Sequence, residues 1–262
     1  MRILLSNDDG IHAPGLAALR WALAPLGEVH VVAPDRERSG TGHGITVHKP
    51  LRPKQVKFTD GTFGWAVDGT PADCVKLAIE ALLPQAPDIV VSGINHGPNL
   101  GTDVLYSGTV SAAIEGIING FPAVAISLAS YESGDFKYAA AFAGLIIPGL
   151  MKGNNTRECN LVNINVPPGK PRGIKVTRLG NRRYVNIFHK RVDPRGRTYY
   201  WMAGEPEDSV PENPAVEADV DVEAIKNKYV SVTPLHFDLT DFQAIHYLQD
   251  MIDGQEFNIF EL

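Results

Sequence analysis

The sequence has only two cysteines in 262 residues, Cys74 and Cys159, far apart and outside any C-x-x-C or Cys/His pairing. That argues against a zinc cage or a disulfide framework and points to a reducing compartment, the cytoplasm. An excess of basic charge is also absent: 24 Lys and Arg stand against 30 Asp and Glu, a net charge of -6, with no basic stripe. Attraction to a nucleic-acid polymer is thereby excluded, and a small anion must rely on a metal, a helix N-terminus or a few arginines. No apolar run approaches the ~18 residues of a membrane span, and MRILLS at the start is too short for the apolar region of a signal peptide. The expectation is a soluble chain that keeps its N-terminus and has no membrane partner. G-x-S-x-G, G-x-x-x-x-G-K-[ST] and a G-x-G-x-x-G opening the first helix are all missing, which weakens serine-hydrolase, P-loop and dinucleotide readings.

What is present is a 44% hydrophobic chain with the rhythm of an α/β protein. Residues 2–6 (RILLS) and 28–33 (EVHVVA) read as strands around a helix at 15–26. Alternating segments at 45–49 and 63–67 are expected to pair antiparallel, and Thr70-Pro71 to cap a helix in which Asp73 favours the positive end of the dipole. A strand at 88–92, a polar loop at 93–108, a helix at 109–119, an apolar run at 122–128, a helix at 136–151 and a strand at 161–166 follow. Such alternation predicts a three-layer α/β/α, Rossmann-like, mostly parallel sheet over residues 1–170. From 171 to 262 the pattern changes to an extended hairpin (RRYVNIFHKR, RTYYWM), an acidic loop at 204–222, a strand at 229–235 and a helix at 240–252. This C-terminal arm is read as an appendage for dimer contacts or a lid, without a core of its own.

Ligands of an open parallel sheet bind beyond the carboxyl ends of its strands. The loops expected there carry Asp8 and Asp9, then Asp35, Arg36, Arg38 and Ser39, then Asn95, His96, Asn99, Asp103 and Ser107. Asp8 and Asp9 are adjacent carboxylates after a buried strand, where repulsion and desolvation oppose ionisation unless a divalent cation is bound. Hard oxygen ligands suit magnesium, manganese or calcium, and Ser39 and Asn95 are able to complete a partial shell. As a bare tetrapeptide, N-D-D-G is more often an ordinary turn. Ser107-Gly108-Thr109 before a helix offers an anion cradle, with a plain N-cap as its alternative. His43, His48, His96 and His189 lack metal-ligand spacing, His96 being singled out only by its neighbour Asn95. Arg182, Arg183, Lys190 and Arg191 read as a solvated hairpin face.

With these residues in view, the sequence closely resembles the SurE (survival protein E) family of nucleotidases. The resemblance rests on ILLSNDDGIHAPG at 3–15, VVAPDRERSG at 31–40, VDGTPADCVKLAI at 67–79, DIVVSGINHGPNLGTDVLYSGTVSAAIEG at 88–116 and YVSVTPLHFDLTD at 229–241. It implies a Rossmann-like core whose arm exchanges elements between subunits in homodimers or homotetramers. It also implies divalent-metal-dependent hydrolysis of nucleoside 5'- and 3'-monophosphates, with short polyphosphate as a side substrate. By the same resemblance Asp8, Asp9, Ser39 and Asn95 hold one divalent cation per subunit, and Asn95, Ser107, Gly108 and Thr109 bind the phosphate. Asp8 or Asp9 acts as the catalytic base on a metal-bound water. No base-recognition role is transferred to TGHGITVH at 41–48. Two rival readings keep the acidic pair: an aspartyl-phosphate phosphatase, which carries D-x-D rather than adjacent carboxylates, and a magnesium-binding receiver module of about half this length.

Overall fold

The structure, a computed structural model, describes residues 1–152, 160–209 and 219–253. Cys159 and the middle of the acidic loop expected at 204–222 lie outside the described residues. The chain forms β1 (Arg2–Ser6), α1 (Pro14–Leu23), β2 (Glu28–Pro34), β3 (Lys54–Lys57), β4 (Phe63–Val67), α2 (Pro71–Leu77) and β5 (Ile89–His96). Next come α3 (Gly108–Ile118), β6 (Ala123–Leu128), α4 (Lys137–Leu150), β7 (Leu161–Val166), β8 (Ile174–Arg178), β9 (Asn181–Val185) and β10 (Phe188–Val192). Then β11 (Thr198–Met202), β12 (Glu205–Ser209), β13 (Asp219–Val220), α5 (Asp221–Lys226), β14 (Val230–Leu235) and α6 (Phe242–Asp253) close the described chain.

A ten-stranded sheet runs β13-β8-β14-β7-β6-β5-β1-β2-β4-β3. Its strands from β7 to β4 are all parallel, as the strand–helix alternation requires. Side chains along β1 alternate between faces: Ile3 and Leu5 join α1 and α4 in one apolar layer, while Leu4 joins α2 and α3 in the other. Burial on both faces explains why β1 is a continuous apolar run, and the three-layer α/β fold follows from it. The chain leaves β1 toward β2 on one side and returns as β5 on the other, so a topological switch point lies between β1 and β5. No described helix is long and apolar enough to cross a membrane.

Local signals account for several boundaries. Thr70 and Asp73 cap α2 reciprocally, Thr70 Oγ1 accepting from Asp73 N (3.1 Å) and Asp73 Oδ2 from Thr70 N (2.8 Å). The partner of Phe63–Val67 is Lys54–Lys57 rather than residues 45–49. That earlier stretch is drawn to the α2 cap instead, with Thr46 N donating to Asp73 Oδ1 and Thr70 Oγ1 to Gly44 O. β5 extends to His96, beyond the expected 88–92, because Asn95 and His96 continue the ladder with Ser127 and Leu128.

The C-terminal region divides. β8, β13 and β14 lengthen the main sheet, so part of the expected arm belongs to the core layer. The expected hairpin exists as two paired lengths, β9 with β12 and β10 with β11. Part of the expected acidic loop is therefore strand β12: its Asp208 faces Arg182 across the ladder, and opposite charges stabilise such a pair.

Candidate active site

Asn7, fully buried, makes the turn after β1: its Nδ2 donates to Gly10 O (3.0 Å) and its Oδ1 accepts from Gly10 N (3.2 Å). Gly10 takes φ +100, which disfavours any side chain. The turn role of N-D-D-G thus falls on its outer residues, and Asp8 and Asp9 are left to project from the sheet. The loop after β2 is tied to them, since Arg38 N donates to Asp8 O (2.7 Å).

Asp8 is 4% exposed and turns toward α3. Thr109 Oγ1 donates to its Oδ1. Gly108 is required by this approach, because a Cβ there would stand 2.7 Å from Asp8 Cβ and 3.0 Å from its Oδ2. Burial pushes the Asp8 carboxyl from its ordinary 3.8 up to about 6, the Thr109 hydroxyl opposing the rise and the Asp9 charge adding to it. Such a shift corresponds to a penalty on the order of 3 kcal/mol for the ionised form. Asp9 turns the other way, its Oδ2 accepting from His96 N (3.1 Å). Burial raises its carboxyl too, against the His96 amide and with the Glu37 charge.

Two neighbouring carboxylates at the end of a strand, both disfavoured as anions, with a helix N-terminus against one of them, form a cation-seeking site beside an anion-seeking one. Among the described residues no group of three or more His, Cys, Asp or Glu is placed to hold a metal ion, so the donors to look for beyond the pair are hydroxyl and amide oxygens. Asn95 Nδ2 donates to Gly97 O (2.8 Å), which leaves the amide oxygen as the available ligand. Ser39 Oγ donates to Glu37 Oε1 (2.8 Å) and keeps its lone pairs. No hydrogen bond among the described residues links Ser39 or Asn95 directly to either aspartate. Two carboxylates, a hydroxyl and an amide oxygen make an all-oxygen donor set, which fits a hard divalent cation.

Ser107 is the N-cap of α3, its Oγ accepting from Val110 N (3.0 Å), so the cap and the cradle are the same residue. Other polar residues of the expected rim turn away. Asn99 is locked onto Ser127, Asn163 and Asn165, a buried network that holds the loop down. Arg182 is no solvated-face residue: its side chain is 9% exposed and bridges Asp103 (3.1 Å) and Asp208 (2.7 Å). His43 Nε2 lies 2.9 Å from the buried carboxylate of Glu115. Glu37 and Phe136, which line a cavity beside Asp9, were not among the expected site residues. Glu37 sits two positions before Ser39, the one trace of it in the sequence.

The model of the Survival protein SurE family matches residues 3–186. Among curated proteins, the 5'-nucleotidase SurE of Pelotomaculum thermopropionicum is 63% identical over 255 residues, 96% of this chain and 95% of that protein. The 5'-nucleotidase SurE of Desulforudis audaxviator is 58% identical over 252 residues, 95% of this chain and 96% of that protein. The crystal structure of the Sure protein from Aquifex aeolicus superposes with a TM-score of 0.79 at 42% identity, covering 96% of this chain and 99% of that one.

Proposed function

Taking as premise that this chain belongs to the SurE family of survival proteins, we propose that it is a 5'-nucleotidase, hydrolysing nucleoside monophosphates to nucleoside and phosphate at the end of β1. The observation that carries the reading is the opposed pair, Asp8 buried against Gly108 and Thr109 at the start of α3, and Asp9 beside it toward His96. Asp8, Asp9, Ser39 and Asn95 are the oxygen donors that hold one divalent cation, magnesium, manganese or calcium. That ion supplies charge neutralisation at the phosphoryl group and a water more acidic than bulk water.

The remaining work belongs to side chains and backbone. The N-terminus of α3 at Gly108 and Thr109, with the helix dipole behind it, receives a phosphoryl oxygen. Ser107 holds that first turn in place as its cap, and Asn95 presents its amide to the same group. Asp9, the more open carboxylate, accepts the proton of the attacking water, while the Thr109 hydroxyl fixes the orientation of Asp8. Charge that develops on the phosphoryl oxygens is met by prearranged dipoles, the largest source of acceleration in such reactions. Nucleoside 3'-monophosphates and short polyphosphate are side substrates in this reading, the protein works in the cytoplasm, and its subunits pair or form tetramers through the C-terminal arm. Phosphate release from a panel of mononucleotides, with and without chelator, tests it. Asp9→Asn should lower turnover at least about a hundredfold with an unchanged melting curve; full activity in that variant, or chelator-resistant wild-type activity, refutes the assignment.

A further inference from the structure

We propose that the cavity beside Asp9 seats the nucleoside of the substrate, with the ribose hydroxyls on Glu37 and the base against Pro14 and Phe136. The inference rests on the nucleotidase reading above and adds where, and by which residues, the leaving group is held. The cavity measures about 290 Å³ and is lined by Asp9, Pro14, Glu37, His96, Gly134 and Phe136 among others. Ligand pockets run from roughly 300 to 1,000 Å³, so this one suits a single nucleoside and nothing much larger. Asp9 belongs both to this wall and to the acidic pair, which makes the cavity continuous with the site of chemistry.

Charge decides which end of the substrate enters. With Asp9 committed to the cation, Glu37 is the free carboxylate of the cavity and no Lys or Arg lines it, so a phosphate is repelled from it. The anion-seeking amides lie on the opposite side, with Asp8, at the start of α3. A neutral group rich in hydroxyl donors is what such a carboxylate accepts. Glu37 has Oε1 occupied by the Ser39 hydroxyl, while Oε2 takes no hydrogen bond from any described residue. A carboxylate on a ribose diol is a recurring solution to sugar recognition in sheets of this kind. His96 donates from Nε2 to Ser133 O (3.0 Å), and its ring meets Phe136 edge to face at 6.0 Å. Together with Pro14 these rings give the cavity an apolar wall with one polar edge, as a base requires.

The second cavity, about 220 Å³, offers no equivalent. It lies between α1 and β3, lined by Ile11, Arg20, Trp21 and Phe58, and its guanidinium is committed to Asp60 and Thr62.

Gly134 provides the probe, because it lines the cavity and a Cβ there meets nothing within 4 Å, so a larger side chain is accommodated at the cavity's edge without a clash. The experiment compares kcat/KM for a 5'-ribonucleotide, its 2',3'-dideoxy counterpart and methyl phosphate in wild type, Glu37→Gln and Gly134→Leu. Binding of free adenosine to the metal-free protein is followed by calorimetry, with melting curves to confirm folding. The wild type should prefer the ribonucleotide to the dideoxynucleotide about tenfold, and Glu37→Gln should erase that preference. Gly134→Leu should lower the ratio of nucleotide to methyl phosphate at least tenfold and weaken adenosine binding by a similar factor. An unchanged ribo/dideoxy ratio in Glu37→Gln, or undiminished adenosine binding in Gly134→Leu, overturns the proposal. Failure of the wild type to hydrolyse any of the three phosphoesters instead overturns the nucleotidase reading, and the adenosine titration still tests the cavity.

Discussion

At Gly108 a missing side chain sets how closely a helix approaches a carboxylate. A methyl group there would press on Asp8 Cβ at 2.7 Å and on Pro71 Cγ at 3.1 Å, so something must shift to admit it. Gly108→Ala is expected to cost about 1–3 kcal/mol in thermal denaturation and to lower kcat more than it raises KM. Glu115, on the same helix, gives a pH signature distant from the reaction. Burial alone would raise its carboxyl, but hydrogen bonds from His43, Lys76 and Asn119 outweigh it and hold the group below its ordinary 4.5. A depressed folded value means that the stabilisation is present above the unfolded value and lost as the pH falls through the folded one. Wild-type melting temperature should therefore fall more steeply below pH 4.5 than that of Glu115→Gln, measured by calorimetry from pH 7 to 3.

Among the elements, the ribbon β9–β12 is fastened to the site through one turn, residues 101–105. Arg182 and Tyr184 of β9 both reach Asp103, and Asp221 accepts from Gly101 N (2.8 Å) and Gly180 N (2.7 Å). Replacing Arg182 by methionine leaves Asp103 without its cation at a nearly buried position, a loss of about 3 kcal/mol. Hydrogen exchange should accelerate at 101–105 and 181–185 before other strands, and equal protection in both proteins would contradict this coupling. Most of this level was legible in the sequence. The strand–helix alternation, the Thr70-Pro71 start and the basic-aromatic hairpin each follow from local patterns. What was not legible depended on distant partners. Residues 45–49 have strand-like alternation, but the α2 cap claims their backbone; β5 runs on to His96 because β6 continues beside it; and the acidic β12 becomes a strand only when Arg182 faces it.

For the whole molecule, the sheet's switch point was legible from the chain order, and with it the location of Asp8 and Asp9. The opposed directions of the two carboxylates were not, because they depend on Thr109, 101 residues from Asp8, and on the His96 amide, 87 residues from Asp9. Glu37 escaped notice for the same reason. Helix α6 has no buried residue, and its Phe242, Ile245, Leu248 and Ile252 repeat at helical spacing as an exposed apolar face. If that face joins subunits, Ile245→Asp combined with Leu248→Asp should reduce the mass seen by light scattering without lowering the melting temperature of the core. An unchanged mass would place the contact elsewhere.

The sheet is the middle ply of a laminate, α1 and α4 bonded to one surface and α2 and α3 to the other, and the acidic pair is anchored in two plies at once, Asp8 through Thr109 of α3 and Asp9 through the His96 amide of β5. Any slip between the plies changes the separation of the two carboxylates directly. A cation bridging them would act as a rivet, so chelation should loosen the molecule along this seam first, and an ion's affinity becomes a gauge of how well the two halves are registered.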